Sequence, residues 1–138
     1  MKFNGGCACG AIRFSTSAEP VDAGYCHCKI CQRTTGAPVL AWASYPTDSF
    51  SYTRGKPALF QSSNHGQREF CPDCGTQIAY RDSQNTATVE VNIGSLDDTD
   101  RVKPRYHIWC GSRISWFDTN DALPRFVGSK PRGDEGLT

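Results

Sequence analysis

The sequence predicts an all-β, zinc-binding fold of short antiparallel strands. Short segments in which apolar and polar residues alternate recur along the chain, and residues that favour turns separate them at close intervals. The eight cysteines also stand in groups, at the spacing at which one metal ion binds two sulfurs. We see no internal repeat and no second domain, so one β domain with metal sites is expected.

Length and charge limit the possible functions. A chain of 138 residues is expected to form a single zinc-binding domain, assigned to residues 1–127, followed by a flexible tail at 128–138. The net charge of +1 gives no electrostatic footprint for nucleic acid, and no apolar run is long enough to span a membrane. The expected partner is a small molecule, bound by a monomer or a small homo-oligomer.

The N-terminus lacks the apolar stretch of a signal peptide, so a cytoplasmic location is expected. Thiols stay reduced in the cytosol, and the cysteines are then metal ligands rather than disulfide partners. The disulfide alternative would apply if a secretory leader had been removed from the chain.

The first half of the chain alternates predicted strands with cysteine motifs. Glycines in residues 5–10 flank a Cys-x-Cys pair and let the backbone bend around a metal. A run of three cysteines follows at residues 26–31 and leads into a single helical turn at 32–36. Strands are predicted at residues 11–17, 21–25, 37–45, 50–53 and 58–61.

The second half contains a zinc-knuckle motif after a polar loop at residues 62–66. In the motif Cys-Pro-Asp-Cys-Gly, Pro72 fixes the backbone inside the turn and Gly75 allows an exit with positive φ. Both sulfurs can then bind one ion at about 2.3 Å. Further strands are predicted at residues 78–80, 86–93 and 106–110, and residues 123–126 are expected to pack back onto the core.

The cysteines allow two partitions between metal sites. They form four groups along the chain: Cys7 and Cys9; Cys26, Cys28 and Cys31; Cys71 and Cys74; and Cys110. The first and third groups together supply a closed four-thiolate site, as structural zinc requires, and the second group then binds another zinc with an open position. In the competing partition Cys110 closes the second site; otherwise Cys110 is a packing or free thiol.

An open three-thiolate zinc favours thiol capture over hydrolysis. Three thiolate sulfurs donate electron density to the zinc and make it a modest Lewis acid. Such a zinc is less able than one bound by three histidines to deprotonate a bound water to hydroxide. A metal ion nevertheless deprotonates a thiol that coordinates it. Such a site is therefore suited to binding a thiol cofactor.

A specific resemblance joins these motifs. They are, in order, Gly-Gly-Cys-x-Cys-Gly, Cys26-His27-Cys28-x-x-Cys31-Gln32, Arg68-x-Phe70-Cys71-x-x-Cys74-Gly75, Pro104-x-x-His107-Ile108-Trp109, Trp116 and Asp121-x-Leu123-Pro124-x-Phe126. From about Gly5 to Phe126 the chain resembles the glutathione-dependent formaldehyde-activating enzyme family, whose domain also occurs in centromere protein V. The resemblance implies a β-tent-like fold and two zinc ions per chain.

The resemblance also implies the roles of the cysteines and the chemistry. The structural zinc is expected on Cys7, Cys9, Cys71 and Cys74, and the catalytic zinc on Cys26, Cys28 and Cys31. The implied activity is that of a carbon–sulfur lyase with glutathione as co-substrate. Its substrate would be a glutathione–aldehyde adduct such as S-hydroxymethylglutathione.

Charged and aromatic residues near the motifs add secondary expectations. Arg33 and Arg68 either bind a glutathione carboxylate or offset the negative zinc–thiolate cores. His27 is expected to point away from the metal, and surface or packing roles are expected for His65 and His107. The three tryptophans are expected in the core, and no pair of carboxylates suggests acid–base chemistry.

Two functional hypotheses follow. The favoured one is the zinc-dependent lyase, in which the thiolate of glutathione binds the open zinc. The rival is a non-catalytic, zinc-stabilised binding module, which a second site saturated by four cysteines would favour.

Overall fold

Ten strands and one helix make up the part of the chain that the computed structural model describes, residues 2–131. The strands are β1 (Phe3–Gly6), β2 (Arg13–Thr16), β3 (Asp22–Cys26), β4 (Leu40–Pro46), β5 (Phe50–Arg54), β6 (Ala58–Gln61), β7 (Gly66–Phe70), β8 (Gln77–Asp82), β9 (Asn85–Asn92) and β10 (His107–Ile108). The helix is α1 (Lys29–Thr35), and the 3-10 turns are Thr47–Ser49, Ile93–Ser95, Thr99–Arg101 and Cys110–Ser112. The predicted all-β class is confirmed.

The strands form a small and a large sheet. The small sheet has the order β1-β2-β5, and the large sheet has the order β10-β3-β4-β9-β8-β7-β6. Neighbouring strands are antiparallel, except that β10 runs parallel to β3. The prediction of short antiparallel strands is thus also confirmed.

The two faces of the large sheet have different compositions. On one face, Ala43, Tyr45, Val89 and Val91 are fully buried in a core that includes residues of the small sheet. The alternate residues of β4 and β9 lie on the opposite face, where Trp42 pairs with Asn92 and Ser44 with Glu90. This second face carries the site described below.

Two of the strands were not predicted, for physical reasons. Half of β1 is glycine, and the strand exists because it pairs with β2. In β7 the charged residues Arg68 and Glu69 are buried. The segment therefore lacks the alternation of apolar and polar residues from which a strand is predicted. Glu69 is neutralised by Arg81 Nε at 2.7 Å and accepts a hydrogen bond from Tyr52 Oη at 2.6 Å.

Other boundaries differ by a few residues. The helix begins earlier than the predicted turn, because the side chain of Cys28 caps it. The last strand stops at Ile108, since Trp109 has a left-handed conformation with φ of 57°. No helix among the described residues is long and apolar enough to cross a membrane.

The expected tail at 128–138 lies mostly outside the described residues, which end at 131. Within its described part, the carbonyl of Gly128 accepts a hydrogen bond from Trp109 N at 2.9 Å. The Lys130 ammonium lies 5.0 Å from the centroid of the Tyr106 ring.

Candidate metal centres

The first cluster brings together four thiols from two distant parts of the chain. The Sγ atoms of Cys7, Cys9, Cys71 and Cys74 all lie within 4.8 Å of one another. Cys9 Sγ is 3.6 Å from Cys7 Sγ and 3.8 Å from Cys71 Sγ. Four sulfurs at about 2.3 Å from a tetrahedral zinc are separated by about 3.8 Å, so this donor set fits zinc.

The local backbone supports negative sulfurs in this cluster. Ile12 N donates to Cys7 Sγ at 3.2 Å, and Cys74 N donates to Cys71 Sγ at 3.4 Å. Gly75 has φ of 79°, which turns the chain away after the second thiol as the motif predicted. Hydrogen bonds of this kind favour the thiolate over the thiol.

The first cluster also connects the two sheets. Cys7 and Cys9 follow β1 of the small sheet, whereas Cys71 and Cys74 lie between β7 and β8 of the large sheet. Cys71 is fully buried within the main core. A metal ion held here would therefore cross-link the two layers of the fold.

The second cluster is local and contains three thiols. Cys26 ends β3, Cys28 caps α1 and Cys31 lies in the first turn of that helix. Cys26 Sγ and Cys31 Sγ are 3.2 Å apart, and Cys31 N donates to Cys28 Sγ at 3.2 Å. The three sulfurs lie within 4.8 Å of one another, and no fourth cysteine, histidine or carboxylate among residues 2–131 joins them.

The thiols of the second cluster cannot all ionise on their own. The pKa of Cys28 is lowered because the thiols of Cys26 and Cys31 hydrogen-bond to its sulfur. The pKa of Cys26 is raised by the same contacts and by burial. One negative charge is favourable in this cluster and further charges need a cation, so the donor set fits a metal ion that replaces the protons.

Cys110 does not belong to either cluster. It begins the 3-10 turn Cys110–Ser112, and its backbone N donates to the carbonyl of Phe126 at 2.9 Å. Partial burial raises the pKa of its thiol. All eight cysteines are free thiols, and the geometry supports the partition into four, three and one.

A cavity of about 360 Å³ opens beside the second cluster. Its walls include Cys26, Cys28 and Cys31 together with side chains from the second face of the large sheet, among them Leu40, Trp42, Arg68, Tyr80 and Glu90. Cys28 is half-buried on this cavity, whereas Cys26 and Cys31 are buried. The cluster is therefore accessible to a small molecule from one side.

The two predicted arginines occupy different environments. Arg68 is buried, and its Nη2 lies 3.7 Å from Cys31 Sγ while its Nε donates to Ser62 Oγ at 3.1 Å. The guanidinium also lies 5.0 Å from the centroid of the Tyr80 ring. Arg33 is exposed on α1 and does not line the cavity. Of these two arginines, Arg68 is the one positioned to offset the charge of the second cluster.

A buried chain of polar side chains lies behind the second cluster. His27 and His107 are both fully buried, and His27 Nε2 is 2.8 Å from His107 Nδ1. His107 Nε2 lies 3.2 Å from both carboxylate oxygens of Asp121. His27 is thus turned away from the thiols, as expected for a residue between two ligands, and burial lowers its pKa. This series of hydrogen-bonded side chains connects the cysteine run at residues 26–31 to the loop that contains Asp121.

Sequence reasoning missed two features of this region. The contact between His27 and His107 depends on the pairing of β10 with β3, which are some 80 residues apart. No local pattern in the sequence therefore predicts this contact. Trp109 and Trp116, both expected in the core, are 42% and 73% exposed, and Trp109 lines the cavity in its left-handed conformation. Such a conformation is rare for a bulky residue and is typical of functional sites.

The fold and the two clusters define a class of protein: a small all-β domain with one four-thiol and one three-thiol centre that could hold metal ions. The profile of the family described as glutathione-dependent formaldehyde-activating enzyme matches residues 2–112. The chain belongs to this family.

Individual relatives agree with this assignment. A Halomonas elongata protein named as a putative glutathione-dependent formaldehyde-activating enzyme is 25% identical over 127 residues, which cover 86% of this chain and 81% of that protein. A Schizosaccharomyces pombe protein named as an uncharacterized lyase is 31% identical over 94 residues, covering 61% of this chain and 62% of that protein. This chain therefore aligns with less than two thirds of the yeast relative's length.

A solved structure supports the fold. A crystal structure of a Rhodobacter sphaeroides protein superposes with a TM-score of 0.56 at 28% sequence identity. The superposition covers 74% of this chain and 92% of that protein.

The two clusters predict the metal content. We expect protein purified without chelator to contain about two zinc ions per chain, because the four thiols of the first cluster and the three thiols of the second can each hold one ion. Elemental analysis with a protein assay measures the ratio. Reloading with zinc followed by dialysis restores any ion lost in purification, and a ratio of one after reloading would contradict the two-site assignment.

Proposed function

We propose that this chain is a zinc-dependent carbon–sulfur lyase that forms and cleaves the adduct of glutathione with an aldehyde, S-hydroxymethylglutathione or a similar compound. The observation that carries the proposal is the contrast between the clusters. Four thiols surround the first centre, whereas three surround the second, which opens onto a cavity large enough for part of a peptide. Membership of the formaldehyde-activating family supports the same chemistry.

The cysteines divide into two roles in this proposal. Cys7, Cys9, Cys71 and Cys74 would hold a structural zinc, since a closed four-thiolate set has no position for a substrate. Cys26, Cys28 and Cys31 would hold the second zinc. When bound there, zinc supplies the positive charge that deprotonates an incoming thiol.

Residues around the cavity would position the reactants. Leu40, Ile108 and Trp109 add apolar walls beside the cysteines, which limits the access of water to the reacting carbon. Arg68 offsets the negative charge of the thiolates from 3.7 Å. When the thiolate sulfur adds to the aldehyde carbon, the C=O double bond becomes a single bond, and the alkoxide oxygen takes up, through solvent, the proton that the thiol released. In the reverse step the hydroxyl loses that proton, the carbon–sulfur bond breaks, and the aldehyde and the thiolate separate. The main contribution of the cavity is then proximity.

We also propose that the protein functions in a reducing compartment, the cytoplasm. Seven clustered free thiols remain metal ligands only where disulfides do not form between them.

Thiol binding tests the proposal directly. Glutathione should bind the zinc-loaded protein, and S-methylglutathione should bind at least about tenfold more weakly, because it lacks an ionisable thiol. Calorimetric titration with the two peptides measures the difference. Cys110→Val serves as a matched control: its thiol is outside the clusters, so zinc content and both affinities should stay as in the wild type.

Equally weak binding of the two peptides would overturn the zinc–thiol mechanism and favour the rival, a non-catalytic binding module. A gain in glutathione affinity in Cys110→Val would instead show that Cys110 closes the second site.

A further inference from the structure

The residue between two thiols of the second cluster is held by a buried series of hydrogen bonds. The side chain of His27 is fully buried, and its Nε2 lies 2.8 Å from His107 Nδ1. His107 is also fully buried, and its Nε2 lies 3.2 Å from both carboxylate oxygens of Asp121. The reaction proposed above uses none of these three side chains, so their arrangement needs a separate explanation.

The carboxylate of Asp121 determines where the hydrogens lie in this series. A carboxylate only accepts, so His107 Nε2 carries a hydrogen and donates it. Arg125 already offsets the charge of Asp121, with Nη2 3.4 Å from Oδ1, so the carboxylate does not need a second cation at His107. In the neutral ring of His107, Nδ1 is then an acceptor, and His27 Nε2 donates to it.

Packing alone does not account for an imidazole at position 27. The Nδ1 atom of His27 is buried and has no hydrogen-bond partner among residues 2–131. A buried polar atom without a partner is unfavourable, and an apolar ring of similar size would fill the same space without that cost. The feature that an apolar ring could not supply is the hydrogen bond from His27 Nε2 to His107.

Residue 27 sets the spacing of the three sulfurs. Cys28 and Cys31 are brought together by the first turn of α1, where Cys31 N donates to Cys28 Sγ at 3.2 Å. Cys26 instead ends β3, so its position relative to the other two depends on the single residue that joins the strand to the helix. A rotation of His27 would therefore change the distances between Cys26 Sγ and the other sulfurs.

The backbone of His27 is held as well as its side chain. Its N–H donates to the carbonyl of Ile108 at 3.1 Å, and its own carbonyl accepts from Gln32 Nε2 at 2.8 Å. The ring supplies the third connection, through His107 to Asp121. This third connection is the one that a substitution distant from the thiols can remove.

We propose that Asp121 is a positioning residue for the second cluster. Acting through His107 and His27, its carboxylate holds the junction of β3 and α1 in the conformation that brings three sulfurs to one metal ion. This role rests on the metal site of the proposed function, and it does not depend on which reaction that site catalyses. Residues that hydrogen-bond behind the ligands of a metal typically change its affinity by about tenfold to a hundredfold.

Zinc affinity measures this role. Asp121→Ala should weaken zinc binding at the second cluster at least about tenfold and leave the first cluster unchanged to within about twofold. Competition of the zinc-loaded protein with a chromogenic chelator gives both affinities. Cys28→Ser, in which the four-thiol cluster alone keeps all its sulfurs, identifies the affinity that belongs to the first cluster. An equal loss at both clusters would indicate general destabilisation and overturn the role.

Asp118→Ala is the matched control. Asp118 lies in the same loop and pairs with the same arginine, 3.1 Å from Arg125 Nη1, but it accepts no hydrogen bond from either buried histidine. Its replacement removes the same charge, and both zinc affinities should stay within about twofold of the wild type. Equal losses at the second cluster in Asp118→Ala and Asp121→Ala would assign the effect to charge and overturn the role.

The positions of the hydrogens are a second readout, which a merely structural role would not move. The chain has three histidines, so a long-range ¹H–¹⁵N correlation spectrum of the zinc-loaded protein is simple to assign. In the wild type, His27 and His107 should each carry a hydrogen on Nε2 and none on Nδ1. In Asp121→Ala, the ring of His107 should populate both tautomers. Any other arrangement in the wild type would overturn the proposed series.

A second variant covers a failure of Asp121→Ala to fold. Asp121→Asn keeps an oxygen that can accept from Leu123 N, which lies 3.0 Å from Oδ1 in the wild type. Its amide nitrogen then takes the place of Oδ2 and directs a donor at the Nε2–H of His107. This variant should show the same selective loss of zinc at the second cluster, and wild-type affinity would overturn the role.

Failure of the metal site is distinguishable from failure of this role. A wild type that holds one zinc ion after reloading would overturn the metal site of the second cluster, and the role of Asp121 with it. A wild type that holds two, with the second affinity unchanged in Asp121→Ala, would overturn the role of Asp121 and leave the proposed function intact.

Discussion

Replacing Cys74 by serine is expected to lower the melting temperature of the zinc-loaded protein by at least about 10 °C. Cys74 is exposed, so its side chain contributes little packing, and a serine at such a position would ordinarily change stability by less than about 0.5 kcal/mol. The large effect is expected because the first cluster joins the loop after β1 to the loop between β7 and β8. Losing one thiolate removes metal-binding free energy that is also folding free energy.

Asp73→Ser is the matched control for this prediction. Asp73 is the exposed neighbour of Cys74 in the same turn, and it offers no ligand atom to the cluster. Its replacement should leave the melting temperature within about 2 °C of the wild type. Differential scanning calorimetry compares the three proteins. Equal melting temperatures for Cys74→Ser and Asp73→Ser would show that the first cluster does not hold the sheets together.

Cysteine spacing alone could identify the local parts of the site. Cys28-x-x-Cys31 and Cys71-x-x-Cys74 each place two sulfurs near one point, because a tight turn or the start of a helix fixes their separation. Which pairs then meet is a question of tertiary structure. The sequence left open whether Cys110 completes the second site, and the answer depends on where the segment after β10 runs.

Strands could be predicted where one face is buried. In β9, Val89 and Val91 alternate with Glu90 and Asn92, and the period of two is clear. The alternation could not show that the polar face lines a cavity rather than contacting water. That requires the register of β9 against β4 and β8, which brings Glu90 beside Ser44 and Tyr80.

Buried charges explain the main failure of sequence reasoning. Arg68 and Glu69 follow the predicted polar loop at residues 62–66 and lie in no predicted strand, yet both are buried in β7. Their partners come from other strands and from the second cluster: Arg81 and Tyr52 for Glu69, and Cys31 for Arg68. A charged side chain is buried only when such partners exist. Because the partners are distant in sequence, strand β7 cannot be predicted from the local sequence.

The second cluster predicts a different result for Cys28→Ser from that for Cys74→Ser. Cys28 accepts a hydrogen bond from Cys31 N and so caps α1, and serine is also a favourable capping residue. The substitution should therefore preserve the helix and the fold. It removes one of three thiolates, so we expect about one zinc per chain instead of two and a loss of lyase activity of at least about a hundredfold.

Three measurements on one preparation of Cys28→Ser test this division of labour. Elemental analysis gives the zinc content, calorimetry gives the melting temperature, and NMR exchange spectroscopy gives the rate at which glutathione and formaldehyde form S-hydroxymethylglutathione. Cys28→Ala, which removes the cap as well as the ligand, should be less stable than Cys28→Ser by about 1 kcal/mol but equally inactive. If Cys28→Ser accelerates the exchange as well as the wild type, the three-thiol cluster is not the catalytic centre. If it unfolds as extensively as Cys74→Ser, both clusters are structural.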